Sequence, residues 1–154
     1  MSKEIEHKYL VIDESFRLHQ TGETEIIQGY LKSDDRCTVR IRIYGSDAFI
    51  TVKGHTENNT RDEFEYPIPY EDARFMLDRY CPSVIRKIRH IVYFEGHKWE
   101  IDEFKDSLEG LVIAEIELDD QSEEYMLPPF VGKNVSDDPR YYNSNLVKSN
   151  GFDK

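Results

Sequence analysis

The sequence predicts an α+β chain that is mainly β, with a sheet of about eight strands curled into a barrel around a polar lumen. Three observations predict it. Polar and apolar residues alternate along the chain at the spacing of an all-β sheet or barrel. The polar positions of that alternation are almost all ionisable. The opposite positions are apolar, and two or three helical segments need an apolar surface to cover from outside.

The first strand candidate runs from Lys3 to Val11. In "EIEHKYLV", Glu4, Glu6 and Lys8 share one face while Ile5, His7 and Tyr9 share the other, because strand side chains alternate. Further candidates are Glu25 to Lys32, Thr38 to Tyr44, Ala48 to Lys53, Arg61 to Ile68, Ser83 to Phe94, His97 to Phe104 and Leu111 to Leu118. "YGSDA" (Tyr44 to Ala48) and "FEGHK" (Phe94 to Lys98) read as tight hairpin turns. Helical spacing occurs in "PYEDARFMLDRY", where Ala73, Met76, Leu77 and Tyr80 form a stripe after Pro69 and acids fill the first turn. A second helix is predicted in "SDDPRYYNSNLVKSNG", with Ser and Asp caps before Pro139 and a stop at Gly151. A third follows Asp120 through "QSEEYM".

One domain, residues 1–154, accommodates all of this. Within it "RIR" (Arg40 to Arg42), a hairpin, "TVK" (Thr51 to Lys53) and "EFE" (Glu63 to Glu65) are followed by a helix. The order returns as "KIR" (Lys87 to Arg89), a hairpin, "EID" (Glu100 to Asp102) and "EIE" (Glu115 to Glu117). The echo suggests a duplicated sheet unit, about 36–80 and 83–126.

Hydrophobic residues make up 38% and charged residues 33% of the chain, with a formal net charge of −11. That acidic balance argues against sequence-independent nucleic-acid binding, which needs clustered Lys and Arg. A small anionic ligand remains compatible with it if the cations are gathered in one shielded place. Cys37 and Cys81 show no CxxC or Cys/His ligand spacing, so both read as ordinary thiols of a reducing, cytoplasmic compartment. "MSKEIEHKYL" lacks the apolar core of a secretory signal, and no apolar run reaches the length of a membrane span.

Alone, each strand shows what any half-buried antiparallel strand shows. The set is different. One face of each strand supplies Lys8, Arg40, Arg42, Lys53, Lys87 and Arg89, together with Glu4, Glu6, Glu63, Glu65, Asp102, Glu115 and Glu117, and Glu100 beside them. The other faces carry Ile5, Tyr9, Val39, Ile41, Ile43, Val52, Phe64, Ile88, Ile101 and Ile116. With helices packed outside on the apolar faces, the charged faces turn into the barrel. Such a lumen cannot be dry, because unpaired buried charge is too costly, so it must hold water, ions and a charged ligand. Arg forks and Lys ammoniums suit a polyanion rich in phosphoryl oxygens. Carboxylates at i and i+2 on neighbouring strands suit Mg²⁺ or Mn²⁺ shared with substrate phosphates. Together they imply phosphoryl chemistry.

These residues resemble the CYTH, or triphosphate tunnel metalloenzyme, family. The signature ExExK is present as Glu4-Ile5-Glu6-His7-Lys8, and the match continues through "RIR", "TVK", "EFE", "KIRH", "EIDEF", "AEIEL" and "RYYNSNL", nearly the whole chain. The resemblance implies an eight-stranded antiparallel closed barrel, a tunnel that binds triphosphate compounds with Mg²⁺ or Mn²⁺. By position, Lys8, Arg40, Arg42, Lys53, Lys87 and Arg89 would clamp the substrate, with Arg140 near the tunnel mouth. Glu4, Glu6 and Glu115 would hold a first metal. Glu63, Asp102 and Glu117 would surround a second metal or the attacking water, and Lys87 would act with them in catalysis. Two departures stand out: His7 replaces the family's usual Arg, and Pro139 and Tyr142 stand where many short bacterial members have Lys.

The implied activity is a metal-dependent triphosphatase that converts inorganic tripolyphosphate to pyrophosphate and phosphate. The alternatives are a class IV-type adenylate cyclase, a thiamine triphosphatase, a non-catalytic polyphosphate or nucleotide binder, and a β-sheet interaction domain with solvated charges. The expected partner is a small anionic triphosphate, with no nucleic acid and no membrane, and the chain is expected to be a monomer or homodimer. His19, His55 and His97 read as surface or turn residues and His90 as a packing residue.

Overall fold

Wherever the sequence alternates, the computed structural model, which describes residues 2–148, forms strand. The eight predicted strands are all present: β1 (Ser2–Val11), β2 (Gly22–Ser33), β3 (Cys37–Tyr44), β4 (Asp47–Gly54), β5 (Thr60–Pro67), β6 (Val84–Phe94), β7 (His97–Phe104) and β8 (Val112–Leu118). A helix, α1 (Tyr70–Arg79), separates β5 from β6. Every pairing is antiparallel, in the order β5-β4-β3-β2-β6-β7-β8-β1, and β5 pairs with β1 to close the ring. Closure removes the sheet edges. Tight turns make it possible: Gly45 (φ 62°) and the pair Glu95 (φ 48°) and Gly96 (φ 80°) supply the left-handed backbone of the two predicted hairpins.

A ninth strand, β9 (Val131–Asn134), is not legible as alternation, being four residues long. It pairs with β1 through Tyr9 and Val11, while Ser2 to Ile5 of the same strand pair with β5. One edge of β1 is thus shared between barrel closure and the C-terminal segment.

The apolar outer faces are covered in two places. Ala73 and Leu77 of α1 are buried against Ile41, Ile43 and Ala48 of the β3-β4 hairpin. Tyr80, expected on the same stripe, instead turns outward at the end of α1 against Phe75, their rings 5.8 Å apart. On the other side, Phe16 and Phe130 cover Trp99, Ile101, Ala114 and Ile116.

A third apolar cluster lies elsewhere. Leu10, Ile85, Phe104 and Ile113 continue the period-two lumen faces of their strands, yet they are apolar. Tyr141, Leu146 and Val147 pack onto them, with Leu108 and Leu111. One end of the lumen is therefore a dry plug and the rest is polar.

Two helix expectations are corrected here. The segment from Ser136 breaks into a short turn (Pro139–Tyr141) and α2 (Asn143–Leu146), because Tyr142 between them has extended backbone (ψ 133°). It also packs into the barrel end rather than outside it; its predicted stop at Gly151 lies outside the described residues. The predicted helix through "QSEEYM" is absent: Asp120 turns back to accept from the Ser122 backbone and hydroxyl, and Pro128 and Pro129 follow.

Candidate active site

Register decides which charges meet. Directly paired residues share a face, and β1 sets Lys8 opposite Glu115 and Glu6 opposite Glu117 on β8. Arg89 on β6 lies opposite Asp102 on β7, Lys53 on β4 opposite Glu63 on β5, and Glu100 on β7 opposite Glu115. Two of these pairs, Glu6 with Glu117 and Glu100 with Glu115, set acid against acid, which weakens a sheet. A sheet selected only for stability would not carry them.

The polar part of the lumen is a cavity of about 240 Å³. Glu4, Glu6, Lys8, Arg40, Arg42, Lys53, Glu63, Arg89, Glu115 and Glu117 all line it, as expected from the sequence. Glu65 and Glu100 join them.

Lys87 and Asp102 lie beneath the lining, each completely buried. Lys87 donates to Asp102 Oδ2 (2.6 Å) and to Asn143 Oδ1 of α2 (3.1 Å). Arg89 forks onto the same carboxylate at 2.8 and 2.9 Å. Burial opposes ionisation of Asp102, but Arg89 and Lys87 outweigh it and hold the acid far below the usual carboxylate range. Lys87 is pushed down to about 7, chiefly by burial. Arg140 is not brought to the cavity. Its side chain is 65% exposed and pairs with Asp138 at 2.8 Å.

Acids crowd one wall. Burial and the charges of Glu115 and Glu4 raise Glu6 well above the usual range. Glu117, toward solvent, is pushed up to about 7 by desolvation and by Glu4, Glu63 and Glu100. Burial pushes on Glu4 too, yet Lys53 reverses the effect by donating to both its oxygens at 2.8 and 2.9 Å. Lys8 stands 3.6 Å from Glu115, and burial of that acid is likewise overcome, leaving it at about 2.

Sequence reasoning missed several lining residues: Arg61, Lys98, Tyr30, Thr38, Tyr142, Asn143 and Ser144. A signal for two of them existed. Arg61 shares the period-two face of Glu63 and Glu65, and Lys98 that of Glu100 and Asp102. The residues of α2 fall in the "RYYNSNL" stretch of the family resemblance, but no local pattern points them at the lumen, and they arrive there by tertiary folding.

A divalent cation is compatible with this wall by donor chemistry, since the acids offer only hard oxygens and their mutual repulsion is what a dication relieves. Among the described residues no three His, Cys, Asp or Glu side chains are arranged at ligating positions.

The fold and site define a class: a closed antiparallel barrel whose hydrated lumen sets gathered guanidinium and ammonium groups against a wall of carboxylates. The CYTH domain model matches residues 2–142, and the chain belongs to the CYTH family. An inorganic triphosphatase of Acetivibrio thermocellus is 43% identical over 150 residues, which are 97% of this chain and 96% of that protein. Another of Nitrosomonas europaea is 29% identical, over 95% of this chain and 97% of that one. The crystal structure of an inorganic triphosphatase superposes with a TM-score of 0.67 at 27% identity, covering 97% of both chains. A Hippeastrum protein described as an adenylyl cyclase with dominant triphosphatase activity shares the fold at 15% identity and a TM-score of 0.58, over 76% of this chain and 80% of that one.

Proposed function

We propose that this chain hydrolyses inorganic tripolyphosphate to pyrophosphate and phosphate, with Mg²⁺ or Mn²⁺ as the cofactor. The observation that carries the reading is Arg42, a lumen guanidinium without a carboxylate partner among the described residues, lining the same cavity as the crowded acids. The 43% identity to a protein named inorganic triphosphatase supports the same substrate.

In this reading Lys8, Arg40, Arg42, Lys53 and Arg89 bind the phosphoryl oxygens and hold the chain of phosphates in line. Lys87 and Asp102 position Arg89 from below. Glu4, Glu6 and Glu115 would hold the metal, which would neutralise developing charge and lower the pKa of water. In the same reading Glu63 and Glu117 orient the attacking water. Glu117 Oε accepts the water's proton, a role open to a carboxylate that lines the cavity on its solvent side. Water oxygen bonds to a terminal phosphorus, that phosphorus parts from its bridging oxygen, and pyrophosphate leaves with the electron pair.

Phosphate release from tripolyphosphate, ATP and thiamine triphosphate, compared side by side with Mg²⁺ and with Mn²⁺, tests the reading. Release should be fastest from tripolyphosphate, and Glu117→Gln should abolish it while the fold persists. Cyclic AMP from ATP, or no phosphate release from any of the three, sinks it.

A further inference from the structure

β2 faces the lumen between two cation-bearing strands and contributes no charge where they lie closest. Gln28 is its residue opposite Arg42 of β3. Gln28 is completely buried, and its Oε1 accepts from Arg42 Nε at 2.8 Å. The donor on the arginine fixes the amide orientation, so Nε2 faces away from Arg42, buried and without a protein partner among the described residues. A buried orphan donor is unfavourable, and an apolar side chain of similar shape would avoid it. Stability alone does not account for a glutamine here.

The other lumen cations differ in one respect. Lys8, Arg40, Lys53, Lys87 and Arg89 each stand within 4 Å of a carboxylate. Among the described residues Arg42 alone of the six has only a neutral amide. Burial and the charges of Arg40 and Arg89 push Arg42 down to about 9, a field that a carboxylate at position 28 would cancel. The amide grips Nε and leaves both terminal nitrogens of this cavity-lining residue without protein partners among the described residues. That is the geometry of a guanidinium fork ready for two oxygens of one phosphoryl group.

We infer that Gln28 is a positioning residue for substrate binding: it aims the Arg42 fork into the lumen without neutralising it. The inference rests on the proposed binding of a triphosphate in this cavity.

Calorimetric titration with tripolyphosphate tests it in the parent, Gln28→Met, Gln28→Glu, Arg42→Ala and the double variant Gln28→Met/Arg42→Ala. Gln28→Met keeps the volume and removes the acceptor. It should weaken binding about tenfold, with the melting temperature moved by less than about 2 °C. Gln28→Glu keeps an acceptor but adds charge, so it should bind more weakly than the parent too, whereas a purely structural hydrogen bond predicts parent-like binding. In the Arg42→Ala background Gln28→Met should add nothing, because coupled residues are not additive. Gln28→Met binding within twofold of the parent, parent-like binding by Gln28→Glu, or an equal loss in both backgrounds overturns the inference while leaving the substrate reading intact. If Arg42→Ala itself binds like the parent, the substrate reading falls and the inference falls with it.

Discussion

Arg42 and Arg89 occupy matching places in the two sequence echoes, and the structure gives them opposite surroundings. Across the hairpin from Arg89 lies Asp102; across from Arg42 lies Phe49. Arg89 is clamped by the Asp102 carboxylate, which also takes Lys87. Arg42 touches an amide and the cavity. Arg89 belongs to a neutralised, buried frame, whereas Arg42 opens the lumen to anions by presenting a guanidinium with no carboxylate within 4 Å among the described residues. The difference teaches that an ion inside a protein serves as scaffold or as ligand-binding group according to whether its counter-charge is built in.

The largest expected effect breaks the frame. Asp102→Ala strands two buried cations and should destabilise the fold by about 3–5 kcal/mol, lowering the melting temperature by about 10 °C. A change below about 3 °C would show that Lys87 and Arg89 are already hydrated and the contrast is false. Next, tripolyphosphate with Mg²⁺ at about 100 times its Kd should add about 2.7 kcal/mol. Calorimetry should record a rise of several degrees, smaller in Arg42→Ala, and no rise in the parent would deny that the lumen binds anions.

Arg42→Ala should reduce tripolyphosphate affinity by about 10- to 100-fold, the value of a hydrogen bond to a charged group. Its melting temperature should stay near that of the parent, whereas Arg89→Ala should lose stability as well. Equal losses of stability in the two variants would erase the distinction.

The smallest effect compares the two faces of β7. Glu103, beside Asp102 but on the outer face, is held down to about 2, chiefly by the Arg17 fork (2.8 and 3.2 Å), with His90 adding to it. Its folded value lies below the usual 4.5, so its contribution is present above that pH and fades as pH falls toward 2. Being near the surface, the pair is worth less than about 1 kcal/mol. Arg17→Ala should flatten this part of the acid limb in denaturation curves, and an unchanged limb would assign the acid sensitivity elsewhere.

Much of this was readable in the chain. Period-two alternation located all eight barrel strands, and the ionisable faces identified twelve of the cavity-lining residues. The rest turned on pairings that strand alternation does not report. Arg140 reads as a mouth residue by position, and in the fold it pairs with Asp138, two residues back. Gln28 carries no charge to draw notice, and its role exists only because β2 pairs with β3 in a register that puts it beside Arg42. The plug at the barrel end needs Leu146 and Val147 to cross to Ile85 and Phe104, far away in sequence.

The sequence by itself determined that alternate residues would separate into an apolar skin and an ionic lining, because a strand offers its side chains no other arrangement. Only the folded chain decided which ion faces which. Partnership depends on strand register and ring closure, and these are set by contacts between segments that no local pattern connects.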